Sequence, residues 1–308
     1  MIPPSAHVPL EERRIFAMGG GGFTMEPSNP LLDDFVLSLA RTQLTRMRRG
    51  AVTTVASVTT VAELRRTPTL TEPRAPEPRI LFLPTAAGDT TAQINAFRAR
   101  FADRPCTPEH LSLFRLADAK RPLEEIVLDQ DIVYVGGGSM RNMLAIWRAH
   151  DLDRLLIEAW RRGTVLAGLS AGAMCWFAGG VTRSSGPPAP IAGLGLLDGS
   201  LTVHADGEPE RLPVWLASVR DGTLPGGWAV DDGVGLLLAG LRLKRVVSSR
   251  PGATAQRVDA IAGELVRHRL EPELLAADTH GALGGIDEDV QELRRVHRLR
   301  RGLAGGRG

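Results

Sequence analysis

Val165-Leu166-Ala167-Gly168-Leu169-Ser170-Ala171-Gly172-Ala173-Met174 is an apolar run that ends at a serine among small residues and passes at once into a helix-compatible stretch. A strand feeding directly into a helix is the repeating unit of an α/β sheet. The turn between the two holds its central residue in a cramped conformation, so the neighbours must be small; Gly168 and Gly172 flank Ser170 at two places either side. Gly-Leu-Ser-Ala-Gly therefore reads as a nucleophile elbow, with the Ser170 hydroxyl lifted above the sheet and the Ala171 N–H beside it as an oxyanion donor. The same short pattern also occurs as a plain flexible loop. The strand before it and the helix after it favour the elbow.

The rhythm of the elbow repeats upstream. Arg14-Ile15-Phe16-Ala17-Met18 runs into Gly19-Gly20-Gly21-Gly22, and helix-like apolar spacing follows from Asn29 to Ala40. Ile80-Leu81-Phe82-Leu83 is a second strand, after which Asp89 is expected to cap a helix carrying Ile94, Phe97 and Phe101 on one face. Ile132-Val133-Tyr134-Val135 leads into Gly136-Gly137-Gly138, and Met140, Leu144 and Trp147 then recur at helical spacing. Leu152, Leu155, Leu156 and Ala159 mark one more helix before the elbow strand. This alternation predicts an α/β fold, a mostly parallel, doubly wound sheet with flanking helices, whose ligand lies at the C-terminal ends of the strands.

Residues 1–13 read as an N-terminal extension, 14–255 as the α/β domain with an insertion at 41–78, and 256–308 as a C-terminal extension with a basic tail. The 37 basic and 35 acidic side chains leave a net charge of +2, which gives no reason to expect a nucleic-acid partner. Two cysteines, Cys106 and Cys175, make no disulfide framework and fit a reducing, cytoplasmic setting. No long uncharged apolar run suggests a membrane span, and the N-terminus lacks the pattern of a signal peptide.

A serine hydroxyl needs a base to become nucleophilic. Of the seven histidines, His204 is the best placed, because it closes the strand Ser200-Leu201-Thr202-Val203 downstream of the elbow. His204-Ala205-Asp206 lacks the partner cluster a metal site requires, so no metal is expected. Gly136-Gly137-Gly138 at a strand end is suited to give the second oxyanion donor, and neither glycine loop has the complete dinucleotide-binding pattern. No carboxylate lies between Ser170 and Asp198, so an acid orienting His204 must come from Asp198, Asp206, Glu208, Asp231 or Asp232; Asp232 ranks ahead of Asp206. A dyad without an acid also remains open at this point.

These residues together resemble peptidase family S51, the peptidase E (aspartyl dipeptidase) and cyanophycinase group. The matching pieces, in the family's order, are Met18 to Phe23, Leu83 to Asp89, Tyr134 to Gly138, Gly168 to Ala173, Gly193 to Leu197, and His204. The resemblance implies a class I glutamine amidotransferase-like (flavodoxin-like) fold, Ser170 as nucleophile, His204 as base, N–H donors from Ala171, Gly137 and Gly138, and no cofactor. Two positions depart from the family pattern. Ser139 stands where the triple-glycine loop commonly continues with asparagine, and Arg183-Ser184-Ser185-Gly186 occupies the region where peptidase E carries an acid. Ser139, Arg141 and Arg183 are candidate substrate-binding residues, the arginines as partners of a substrate carboxylate.

The expected activity is that of a serine peptidase on dipeptides or small peptides through a Ser-His nucleophile pair, and the resemblance implies an aspartyl dipeptidase-like specificity as one reading of it. A small-ester hydrolase and a non-catalytic binding module on the same fold are the alternatives. The expected partner is a small peptide substrate, with a homodimer left open as the quaternary state.

Overall fold

Ile15, Ala17, Leu81, Leu83, Val133 and Val135 belong to one buried apolar cluster, and Phe16, Met18, Ile80, Phe82, Ile132 and Tyr134 to another. Alternate residues of one strand point to opposite faces, so these strands are apolar on both sides and need cover on both. The computed structural model describes residues 7–40 and 77–276, and its strands and helices belong to one unit, Met1–Leu275. The expected insertion at 41–78 lies outside the described residues except at its last two positions, and so does the basic tail.

The strands in chain order begin with β1 (Arg14–Met18), β2 (Arg79–Leu83), β3 (Thr107–His110), β4 (Ile132–Val135) and β5 (Val165–Leu169). They continue with β6 (Phe177–Thr182), β7 (Ala189–Ala192), β8 (Leu197–Thr202), β9 (Gly227–Val230) and β10 (Val234–Ala239). The last four are β11 (Arg242–Ser248), β12 (Ala255–Ile261), β13 (Glu264–Leu270) and β14 (Glu273–Leu274). The helices are α1 (Gly22–Met25), α2 (31–40), α3 (Thr91–Phe101), α4 (Leu123–Leu128), α5 (Met140–Ala149), α6 (Leu152–Arg161), α7 (Ala171–Met174) and α8 (Arg211–Arg220).

An eight-stranded sheet has the order β14-β11-β10-β1-β5-β4-β2-β3. From β3 to β1 every neighbouring pair is parallel, and β10 adds antiparallel to β1. Counted from β2, the strands stand in the flavodoxin-like order, with β1 taking the fifth place although it comes first in the chain. The fold is thus α/β with helices on both faces. Phe35, Val36 and Leu39 of α2 and Phe97 and Phe101 of α3 cover one side. Met143, Leu144 and Trp147 of α5 and Leu152 and Leu156 of α6 cover the other.

After α7 the strand-helix rhythm gives way to a second sheet, β13-β12-β9-β8-β6-β7. Its Phe177, Leu201 and Trp228 join the same core as α5 and α6, while Val181, Ala229 and Val258 form a separate cluster with Trp215 and Val219 of α8. Residue 255 opens β12, so strands of both sheets continue past the segment 14–255. Asp89 does not cap α3. Thr90 holds that position, while Asp89 adopts a φ of 54° and its Oδ2 accepts the Ser112 hydroxyl at 2.6 Å.

One carboxyl is buried in the aromatic layer. Asp33 is 0% exposed, accepts the Tyr134 hydroxyl at 3.0 Å and pairs with Arg100 Nε at 3.0 Å. Burial pushes its carboxyl up to about 7 against the opposing pull of Arg100 and Tyr134. Between about pH 4 and about pH 7 the native chain holds a proton that the unfolded chain has released, so the stability contributed by this group falls as pH rises through that window. Thermal unfolding at about pH 5 and about pH 7.5 should show this loss in the wild type and a smaller one in Asp33→Asn; equal losses would contradict the assignment.

Candidate active site

Ser170 follows β5, where the chain must turn within one residue from strand to α7. Its backbone has φ 53° and ψ −115°, a conformation of order 1–3 kcal/mol above the usual basins. The surroundings hold it there. The Ser170 N–H extends the β1 pairing by donating to Met18 C=O at 3.1 Å, and its own C=O accepts from Ala173 and Met174 at 3.0 Å each. The flanking glycines are sterically required: a Cβ on Gly168 would lie 2.2 Å from Gly172 O, and one on Gly172 would lie 2.4 Å from Val135 O.

His204 comes from the other sheet, just past β8, and Asp232 from the turn that links β9 of one sheet to β10 of the other. His204 Nε2 lies 2.8 Å from Ser170 Oγ, and Nδ1 lies 2.5 Å from Asp232 Oδ1. Burial alone would raise the Asp232 carboxyl. The hydrogen bond and charge of His204, with the charges of Arg250 and Arg211, outweigh it and hold the group below the ordinary carboxylate range. Of the five acids open in the sequence, Asp232 is the one placed on His204. Asp206 Oδ1 instead accepts the Asp232 N–H at 2.9 Å, and Asp231 Oδ2 accepts the Thr254 N–H at 2.8 Å.

A cleft of about 510 Å³ opens over this line, with Gly137, Gly138, Ser170, His204 and Asp232 in its wall. The N–H groups of Gly137, Gly138 and Ala171 find no acceptor among the described residues. Gly138 has φ 142°, and a Cβ there would lie 2.2 Å from Ala86 O. Gln93 Nε2 donates to Gly137 C=O at 3.4 Å, and the trans peptide then turns the Gly138 N–H to the opposite side.

The three candidate substrate-binding residues fall elsewhere. Ser139 caps α5, its Oγ accepting the Asn142 N–H at 3.2 Å. Arg141 Nε donates to Ser185 Oγ at 3.2 Å, and Arg183 pairs with Glu208 at 3.6 Å and Glu210 at 3.4 Å. None of the three is in the wall of the cleft. Cys175 is fully buried, donates to Gly172 C=O at 3.2 Å, and burial pushes its thiol well up. Among the described residues, no helix is long and apolar enough to cross a membrane, and no group of three or more His, Cys, Asp or Glu is placed to hold a metal ion.

Gln93 and Gly20 are site residues that sequence reasoning did not single out. Gly20 C=O accepts the Gly233 N–H at 3.2 Å, and Gly19 N–H donates to Val234 C=O at 2.9 Å, so the first glycine loop is bonded to the turn that carries Asp232. The run of four glycines was the available signal for Gly20; nothing local marks Gln93.

The profile of peptidase family S51 matches residues 61–246. The uncharacterized peptidase YgaJ of Bacillus subtilis (strain 168) is 40% identical over 246 residues, which span 80% of this chain and 92% of that protein. The chain belongs to peptidase family S51, and membership supports a peptidase function. Among solved structures, a peptidase from an acI-B1 Actinobacterium shares the fold with a TM-score of 0.56 at 18% identity, over 84% of this chain and 94% of that one. A putative peptidase E protein from Listeria monocytogenes EGD-e, also 18% identical, gives 0.40 over 65% of this chain and 90% of that one.

Gly20 offers a test of the site's packing. A Cβ there would lie 2.0 Å from Asp232 Oδ1 and 3.0 Å from His204 Cε1. Gly20→Ala should therefore lower kcat by at least about 100-fold with a far smaller change in unfolding temperature. Wild-type kcat in a folded Gly20→Ala protein would show that the two side chains need not stay where they are.

Proposed function

We propose that the chain is a serine peptidase that hydrolyses dipeptides or other small peptides. The observation that carries this reading is the continuous hydrogen-bonded line from Ser170 Oγ through His204 to Asp232. A carboxylate acceptor at Nδ1 fixes the tautomer in which Nδ1 carries the proton, leaving Nε2 free to take the proton of the serine hydroxyl. Ser170 Oγ then attacks the substrate carbonyl, and the developing oxyanion is received by the N–H of Ala171 with those of Gly137 and Gly138. His204 passes the proton to the leaving amine as the C–N bond breaks. Water, deprotonated by the same Nε2, releases the acid from Ser170 and restores the hydroxyl. A cleft of about 510 Å³ suits a short peptide rather than a folded protein chain.

Intact-mass analysis after exposure to a fluorophosphonate should show one adduct on the wild type and none on Ser170→Ala or His204→Ala. Asp232→Asn should lower kcat by about 10⁴-fold, the loss expected when the histidine adopts the wrong tautomer. A thiol-alkylating reagent should leave the activity of the folded chain intact, because Cys175 is sealed in the core. Folded wild-type protein that forms no adduct and cleaves no small peptide would refute the reading.

A further inference from the structure

The cleft wall carries an unusual charge balance for a site expected to receive an acidic residue. Besides Asp232, its charged member is Glu208, and among the described residues no lysine or arginine lines it. Glu208 stands on the same turn as the proposed base: the N–H groups of Gly207 and Glu208 both donate to His204 C=O, at 3.2 and 2.8 Å. Its carboxylate is held asymmetrically. Arg211, only 6% exposed, donates to Oε2 from Nε at 3.0 Å and approaches it with Nη2 at 2.9 Å, and Arg183 Nη1 lies 3.6 Å from the same oxygen. No partner among the described residues falls on Oε1.

One oxygen is therefore clamped by a buried guanidinium while the other remains an unfilled acceptor on a residue of the cleft wall, fixed relative to the base by a single turn. A pre-positioned carboxylate binds a cation with little further ordering, whereas it repels an aspartyl side chain, for which the described residues of the wall offer no counter-charge. We propose that Glu208 is the specificity-determining residue of the cleft and that its Oε1 receives a cationic nitrogen of the substrate, an α-ammonium or a basic side chain. This assignment rests on the peptidase reading above.

The test is a matched set of chromogenic anilides of alanine, N-acetylalanine, N-acetyllysine and aspartate, assayed with the wild type and with Glu208→Gln. Gln keeps the length of the side chain and an oxygen for Arg211 but removes the charge. If the α-ammonium is the ligand, acetylating the alanine substrate lowers wild-type kcat/KM by about tenfold; if a basic side chain is, N-acetyllysine exceeds N-acetylalanine by about tenfold. Whichever preference appears should be absent in Glu208→Gln. Wild-type protein that favours the aspartyl substrate, or treats all four within about twofold, overturns the assignment whether or not the variant folds. Labelling of Ser170 by fluorophosphonate separates the two levels. A labelled wild-type chain with the wrong preference refutes the role of Glu208 alone, whereas an unlabelled, inactive chain refutes the peptidase reading and this inference with it.

Discussion

The strained turn at Ser170 is the constraint on which the rest of the site depends. A residue at φ 53° and ψ −115° stays there only if its neighbours forbid relaxation. Here the N–H is tied to β1, the C=O is tied to α7, and Gly168 and Gly172 pack backbone against backbone where any Cβ would overlap a carbonyl. The parallel sheet supplies that rigidity: β1, β4 and β5 are neighbours in it, their apolar residues are buried on both faces, and the chain leaves β5 at the end where β4 delivers Gly136-Gly137-Gly138.

The second sheet gives this arrangement its partner. His204 leaves β8 at the seam between the two sheets, and Asp232 sits on the connection that crosses from one sheet to the other. The serine, histidine and carboxylate thus come from three separate places whose relative position is set by how the sheets pack. Gly20 closes the arrangement from the first sheet, since its lack of a side chain lets Asp232 and His204 lie against the glycine loop. His204 also has a positive φ, 55°, so two of the three residues in the line are held outside the usual backbone basins.

How much of this was legible in the sequence follows from how local each signal is. β1, β2, β4 and β5 are short apolar runs followed by glycine loops, the elbow or a recognisable helix, and their positions could be read directly; β3, Thr107-Pro108-Glu109-His110, has no apolar run to mark it. Ser170 was marked by its flanking glycines and His204 by the strand before it. Asp232 could only be ranked, because its contact with His204 is created by the meeting of two sheets. The second sheet itself was missed. Its strands include the glycine-bearing Phe177–Thr182 and the largely polar Glu264–Leu270, neither of which has a clean period of two. Gln93 was missed because its hydrogen bond to Gly137 joins two different strand-helix units.

The most direct measurement is a crystal structure of the chain after reaction with a small phosphonate. Phosphorus should be bonded to Ser170 Oγ, with a phosphoryl oxygen within about 3 Å of the Ala171 N–H and of the Gly137 or Gly138 N–H, and His204 still between Ser170 and Asp232. A phosphoryl oxygen turned toward solvent while those N–H groups stay unpaired, or an adduct on any other residue, would contradict it.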